Sequence, residues 1–248
     1  MATYRIDPDL AFIGDCSNED LGLLVTVLTH DSKDGEKRLT ESLTASPEYQ
    51  LFYPDHQKYW PALCAELQAF GANSLATLLR GNKGVFYREI LQDVCDRLKI
   101  TYTKEESTET LELNLLMQIV ETSLNEMSPA SLTALSREME LNLTNPTPQL
   151  IMIALQAAVR TSGVAALEIA TIASMGVIQA LGGVATTAGT AGIFSVLLSS
   201  RLLGLIAGPI GIALSSAWLI ADIAGPAYRV TVPACIIVAY LRQKALAA

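Results

Sequence analysis

Apolar side chains recur every three or four residues along the first 148 positions of the chain. Leu21, Leu24 and Leu28 lie on one face of a predicted helix, which begins after Ser17 and the acidic residues that follow it. Serine suits a helix N-cap, and acidic side chains suit the first turn of a helix. Residues 54–70, 84–99 and 108–127 repeat the same spacing, and no stretch alternates apolar and polar residues. This part of the sequence predicts a small helical domain.

The pattern changes at residues 142–148, where turn residues and two prolines indicate a linker. Beyond it, no charged side chain occurs between Ile169 and Ser200, and Gly-Gly or Gly-Pro pairs divide the apolar sequence at 182–183, 208–209 and 225–226. About 20 apolar residues in a helix span the roughly 30 Å hydrocarbon core of a bilayer. We therefore expect an all-α protein with a cytosolic helical domain, residues 1–148, and a Gly/Ala-rich transmembrane helical bundle, residues 149–248.

Small residues in the second part indicate closely packed helices. Gly204 and Gly208 form a GxxxG pair, and Gly189 and Gly192 each follow an alanine by four residues. Helices in lipid associate by close packing, which small side chains permit. The four glycines are therefore predicted to lie at helix–helix contacts, within one chain or between the copies of a homo-oligomer.

Polar residues inside this apolar sequence are candidates for a water-filled path. Thr186 and Thr190 lie on small-residue faces, and Glu168 and Arg201 are two of its few charges. An ionisable group at membrane depth is costly and faces the interior of a bundle or water. We predict that these four residues line a pore or form its gate. Two alternatives stay open: an apolar hairpin buried in a soluble fold, and a toxin that is soluble until it is triggered.

The charge of the chain is divided in the same way as its hydropathy. Residues 1–148 carry 12 Lys/Arg and 23 Asp/Glu, whereas residues 149–248 carry 5 Lys/Arg and 2 Asp/Glu. The first residues contain no apolar signal sequence, and none of the four cysteines forms a CxxC pair. We expect buried thiols, no metal or other cofactor, and a cytoplasmic N-terminal domain. Arg242 and Lys244 favour the cytosolic side for the C-terminal end as well.

One glycine-flanked basic turn is a candidate ligand site. Two glycines bracket Lys83, and Arg80, Tyr87 and Arg88 lie close to it in the sequence. Backbone N–H groups and cations at the start of a helix bind phosphate groups. We predict that these four residues bind an anionic small ligand or a short oligonucleotide, although they also suit an ordinary turn with solvated charges. The acidic domain argues against long duplex nucleic acid, and no P-loop pattern is present.

Three blocks of the sequence resemble the YaaW-like family of bacterial proteins. They are residues 60–100, which begin WPALCAELQAF and end VCDRLKI, residues 225–242, GPAYRVTVPACIIVAYLR, and residues 9–30, DLAFIGDCSNEDLGLLVTVLTH. Part of that family carries a ubiquinol–cytochrome c chaperone label. The resemblance implies a bacterial protein and offers no catalytic residues to carry over.

The sequence favours a membrane protein over an enzyme. No Ser-His-Asp, Cys-His or paired-carboxylate pattern stands out, so we do not expect catalysis. The favoured hypothesis is an oligomeric ion channel or pore in the bacterial inner membrane, gated by a ligand on the cytosolic domain. Its layout is similar to that of membrane effectors in antiphage defence. The alternative, which the resemblance implies, is a membrane-anchored assembly factor or chaperone for a respiratory complex.

Overall fold

The computed structural model describes residues 2–31, 36–72, 84–139, 141, 143–161, 163–180 and 228–247. These residues form helices, and His30 and Lys37 make an isolated antiparallel bridge. The α-helices are α1 (Asn18–Thr29), α2 (Pro47–Phe52), α3 (Trp60–Gly71), α4 (Tyr87–Arg97), α5 (Thr108–Asn125), α6 (Pro129–Glu138), α7 (Pro148–Thr161), α8 (Gly163–Ala180) and α9 (Tyr228–Ala247). Short 3₁₀ helices occupy Pro8–Asp15, Leu43–Ala45 and His56–Tyr59. The predicted all-α fold is confirmed for this part of the chain.

Serine side chains cap four of the described helices. The Oγ atoms of Ser17, Ser46, Ser107 and Ser128 each accept a hydrogen bond of 3.2 Å from the backbone N–H three residues further along. A helix leaves its first N–H groups without a backbone partner, and such caps satisfy one of them. The predicted cap at Ser17 is confirmed, as is the Ser128 cap with Pro129 at the first helical position.

Helix α4 is capped by a residue from a distant part of the sequence. Its own N-cap residue, Phe86, makes no side-chain cap. Instead, the Asp7 carboxylate accepts a hydrogen bond of 2.6 Å from the Tyr87 N–H. Nearby, the side-chain amide of Gln68 accepts from the Arg5 N–H at 2.9 Å and donates to the Arg5 carbonyl at 2.8 Å. These bonds fix the first residues of the chain against α3 and α4.

The last helix, α9, lies at the centre of the described fold. It packs against α1, α3, α4, α5, α8 and the 3₁₀ helix Pro8–Asp15. Every residue from Val230 to Arg242 is buried, so the helix has no exposed face over that length. A helix that is apolar all round is stable in water only when other elements cover it on all sides. The N-terminal helices and α8 together supply that cover.

This position bears on one expectation from the sequence. The apolar pattern assigned the last helix to a transmembrane bundle, whereas in the structure it packs against α8 and against helices of the first 148 residues. Among the described residues, α9 is the one helix long and apolar enough to cross a membrane, yet 72% of its apolar window is buried inside the protein. A core helix passes the same test of length and composition. The boundary at residue 148 and the bundle itself stay predictions.

The first described residues of the predicted second part form α7 and α8, on either side of residue 162. Helix α8 packs against α5 and along α9. The sequence between α8 and α9, residues 181–227, lies outside the described residues, and with it lie the glycine pairs and breaks predicted there.

We predict that Ile236→Ala destabilises the fold, whereas Leu246→Ala in the same helix does not. Ile236 is 2% exposed and Leu246 is 69% exposed. Removing a buried isoleucine side chain to Cβ costs about 2–5 kcal/mol, and a surface truncation costs about 0.5 kcal/mol or less. Urea unfolding followed by circular dichroism measures both. Equal and small effects would contradict a core position for α9.

Candidate functional site

The predicted anionic-ligand residues divide into two pairs. Arg80 and Lys83 lie outside the described residues. The Tyr87 side chain is completely buried. The Arg88 guanidinium donates to the carbonyls of Lys104 and Glu106 and to the Thr108 hydroxyl, which holds the turn before α5. Tyr87 is therefore closed off from solvent and Arg88 has partners within the fold, and a ligand at this site remains a prediction.

Most of the predicted pore and packing residues fall outside the described part of the chain. These are Thr186, Gly189, Thr190, Gly192, Arg201, Gly204 and Gly208. The backbone of Glu168 lies in α8. The roles predicted for all of them stay predictions.

The clearest polar cluster in the described fold surrounds Arg242, near the end of α9. Its Nε donates to the Glu112 carboxylate of α5 at 2.7 Å, and its Nη2 donates to the Asp9 carbonyl at 2.6 Å. The guanidinium carbon lies 4.4 Å from the centroid of the Phe12 ring, and Nη1 lies 3.8 Å from the Glu109 carboxylate. One side chain thus joins the last helix, α5 and the first 3₁₀ helix.

Two further contacts tie the last helix to the beginning of the chain. The Lys244 ammonium lies 2.8 Å from both carboxylate oxygens of Asp20, in the first turn of α1. At the other end of α9, Arg38 donates to the Arg229 carbonyl at 3.2 Å. Pro233 lacks the N–H that would bond this carbonyl within a helix, so Arg38 supplies a donor in its place. We call Asp9, Phe12, Asp20 and Arg38 the N-terminal clamp.

Glu112 is the most perturbed acid in this cluster. It has no exposed surface, and this burial raises the pKa of its carboxyl to about 7, while the guanidinium of Arg242 acts to lower it. Its second oxygen, Oε1, and the Tyr87 hydroxyl are both buried, and interaction with the Tyr87 hydroxyl also acts to lower the pKa of Glu112. A charge buried this deeply depends on its partner, because an unpaired ion in the interior is costly.

A separate cavity of about 440 Å³ lies between the first residues, the 3₁₀ helix Leu43–Ala45 and α3. Its wall is largely apolar and aromatic, with Tyr4, Leu43, Tyr59 and Ala62 among its residues. Glu66 of α3 also faces it and is 3% exposed. Both Glu66 oxygens accept hydrogen bonds from Ser42, one from its N–H at 2.8 Å and one from its hydroxyl at 2.6 Å.

Neither the cluster around Arg242 nor the cavity beside Glu66 resembles a metal or thiol centre. In the described residues, no group of three or more His, Cys, Asp or Glu side chains is placed to hold a metal ion. All four cysteines are buried free thiols, as predicted. Burial raises the pKa of Cys16 to about 11 and that of Cys95 to about 12, so both are protonated at neutral pH and unreactive.

Sequence reasoning found neither the N-terminal clamp nor the cavity. A signal for the clamp was present: Arg242 and Lys244 end a helix that is otherwise apolar, and Glu112 interrupts the leucine-rich α5. The two cations are typical of a cytosolic membrane boundary in the sequence, whereas in the structure they pair with Glu112 and Asp20. Nothing in the local pattern around Glu66 indicates a cavity.

The described fold is thus an all-helical body in which the first 40 residues hold the last helix. Residues 4–39, which contain the clamp, match a family model described as a domain of unknown function, DUF3944. The chain belongs to the UPF0174 family. It is 39% identical to a UPF0174 protein of Helicobacter pylori strain J99 over 243 residues, which cover 97% of this chain and 93% of the relative.

Two further relatives extend this similarity. A UPF0174 protein of H. pylori strain 26695 is 36% identical over 213 residues, which cover 83% of this chain and 98% of the relative. The UPF0174 protein YaaW of Escherichia coli K12 is 31% identical over 244 residues, covering 97% of this chain and 95% of the relative. The resemblance to a YaaW-like family is therefore confirmed. No solved structure matches the chain.

We predict that Arg242→Met destabilises the protein more at about pH 8 than at about pH 5. Without the guanidinium, the folded protein keeps a proton on Glu112 that the unfolded chain releases above its ordinary pKa near 4.5. The folded state then binds more protons than the unfolded state, so the stability of the variant falls as pH rises. At the higher pH the loss should reach about 3–5 kcal/mol.

The control is the double variant Arg242→Met with Glu112→Gln, which removes the buried carboxyl and leaves the half-exposed Glu109 in place. Chemical denaturation of the two variants and the original protein across pH 5–8 makes the comparison. The pairing would be contradicted if the loss of unfolding free energy in Arg242→Met did not change with pH. It would also be contradicted if that loss were the same with Gln at position 112.

Proposed function

We propose that this protein is a membrane effector that forms an oligomeric, ligand-gated pore in the bacterial inner membrane. In this proposal the described helices form a body on the cytoplasmic side, and residues 181–227 enter the bilayer. The body responds to a ligand, and the inserted sequence conducts ions or small solutes. A role in defence against phage is consistent with this layout.

The observation that carries the proposal is the position of the two helices on either side of the apolar sequence. Residues 181–227 contain only two charged side chains, Arg201 and Asp222. They connect α8 with α9, and those helices pack against each other in the helical body. Because both ends leave the same body, the sequence between them has to cross a bilayer an even number of times. At about 20 residues per crossing, its length suits two crossings.

The residues predicted from the sequence have defined roles in this proposal. Thr186, Thr190 and Arg201 line or gate the conducting path, together with Glu168 at its edge. The glycine pairs bring helices of neighbouring copies into contact. A ligand at Arg80 and Lys83 opens the pore only if it binds the open state more tightly than the closed state.

We predict that the expressed protein stays in cell membranes washed with alkaline carbonate. We also predict that the purified protein conducts ions across the membrane of liposomes. The double variant Gly189→Leu and Gly192→Leu should remain in the membrane but lose most of the flux, because larger side chains prevent close helix contact. Leu51→Ala is the matched control, since Leu51 lies on the surface of the helical body and is 72% exposed.

The other outcomes distinguish the alternatives. Release by carbonate would overturn membrane insertion. Retention without flux, with or without anionic ligands, would overturn the pore and favour a membrane-anchored assembly factor for a respiratory complex. Such a factor should be recovered from detergent with a stoichiometric protein partner.

A further inference from the structure

We propose that the cavity beside Glu66 binds a small organic cation, an ammonium or guanidinium group on a short apolar chain. This site differs from the predicted anionic-ligand site at Arg80 and Lys83, and it does not depend on whether the protein forms a pore. It follows from the charge, shape and walls of the cavity.

The charge of Glu66 has no counter-ion among the described side chains. The carboxylate is 3% exposed, and both of its hydrogen bonds come from Ser42, which is neutral. No described lysine or arginine forms an ion pair with it. Each carboxylate oxygen accepts more than one hydrogen bond, so the group retains capacity for a second donor. Burial raises the pKa of Glu66, whereas the hydrogen bonds from Ser42 and the N-terminal amino group act to lower it.

The other charged side chains at the cavity are acidic or already paired. Lys58 lies on the wall, but its ammonium is 3.0 Å from Asp55 and 5.7 Å from the centroid of the Phe52 ring. Glu48 adds a second acidic side chain to the wall. The Glu41 carboxylate, which pairs with Lys37 at 3.5 Å, also acts to raise the pKa of Glu66. The local field therefore favours a positive ligand.

The walls of the cavity enclose enough space for a small molecule and are held in place by aromatic contacts. A volume of about 440 Å³ is within the range of small-molecule sites. Tyr59 is 1% exposed, and its hydroxyl is hydrogen-bonded to Nδ1 of His56. Tyr4 packs edge-on against Trp60, with ring centroids 5.5 Å apart. Aromatic rings attract cations, and walls held in place in advance lower the entropic cost of binding.

These observations favour an organic cation over other ligands. A metal ion would require more ligands than the described residues bring together. An anion would be repelled by Glu66 and Glu48. A neutral apolar molecule would fill the volume but leave the buried carboxylate without a counter-charge. An ammonium or guanidinium group on an apolar chain satisfies both the carboxylate and the wall.

The experiment is isothermal titration of the full-length protein with n-butylammonium and agmatine. The matched probes n-butanol and butyrate have a similar chain without the positive charge. We expect the two cations to bind and to raise the unfolding temperature, and we expect the neutral and anionic probes to bind far more weakly. Glu66→Gln should lower the affinity for the cations by about tenfold or more. Glu126→Gln, an exposed acid elsewhere, should leave it unchanged.

A second variant covers the case in which Glu66→Gln does not fold. Ala62→Phe fills the cavity and leaves the carboxylate in place, so it should abolish binding without removing the charge. The proposal is overturned if neither cation binds, if butanol binds as well as butylammonium, or if the folded variants at positions 62 and 66 bind the cations as tightly as the original protein.

Discussion

The described fold depends on burying the last helix of the chain among the first ones, and the contact between Arg242 and Glu112 lies at the centre of that arrangement. The two residues are 130 positions apart, and both are buried. Placing two charges in an apolar interior is costly unless each meets its partner with good geometry. Arg242 meets this requirement through Glu112, the Asp9 carbonyl and the Phe12 ring, which come from three separate elements.

The N-terminal clamp holds α9 at both of its ends. Asp20 binds Lys244 at one end, and Arg38 binds the carbonyl that Pro233 leaves free at the other. The family match at residues 4–39 therefore includes the clamp residues that hold the opposite end of the chain. Because such contacts close long loops, we expect the clamp to form after the local helices.

In the proposal, the apolar sequence between α8 and α9 is an insertion that begins and ends in one helical body. A change in that body is therefore transmitted to both ends of the insertion at once. The Glu66 cavity lies in that body, against α3, and α3 contacts α9. A ligand there would act on the same packed core, although the binding proposal stands without any such coupling.

Several features follow from the sequence alone. Helical spacing predicts α1, α4 and α5, and the serines at 17 and 128 mark helix starts, because these signals depend on residues within one or two turns. The burial of the thiols and the division of charge along the chain can also be read from the sequence. The position of α9 cannot, because an apolar helix has the same local pattern whether lipid or protein covers it. Only the tertiary structure decides that Arg242 meets Glu112 and that Glu66 faces a cavity, since these contacts join residues brought together by packing across the fold.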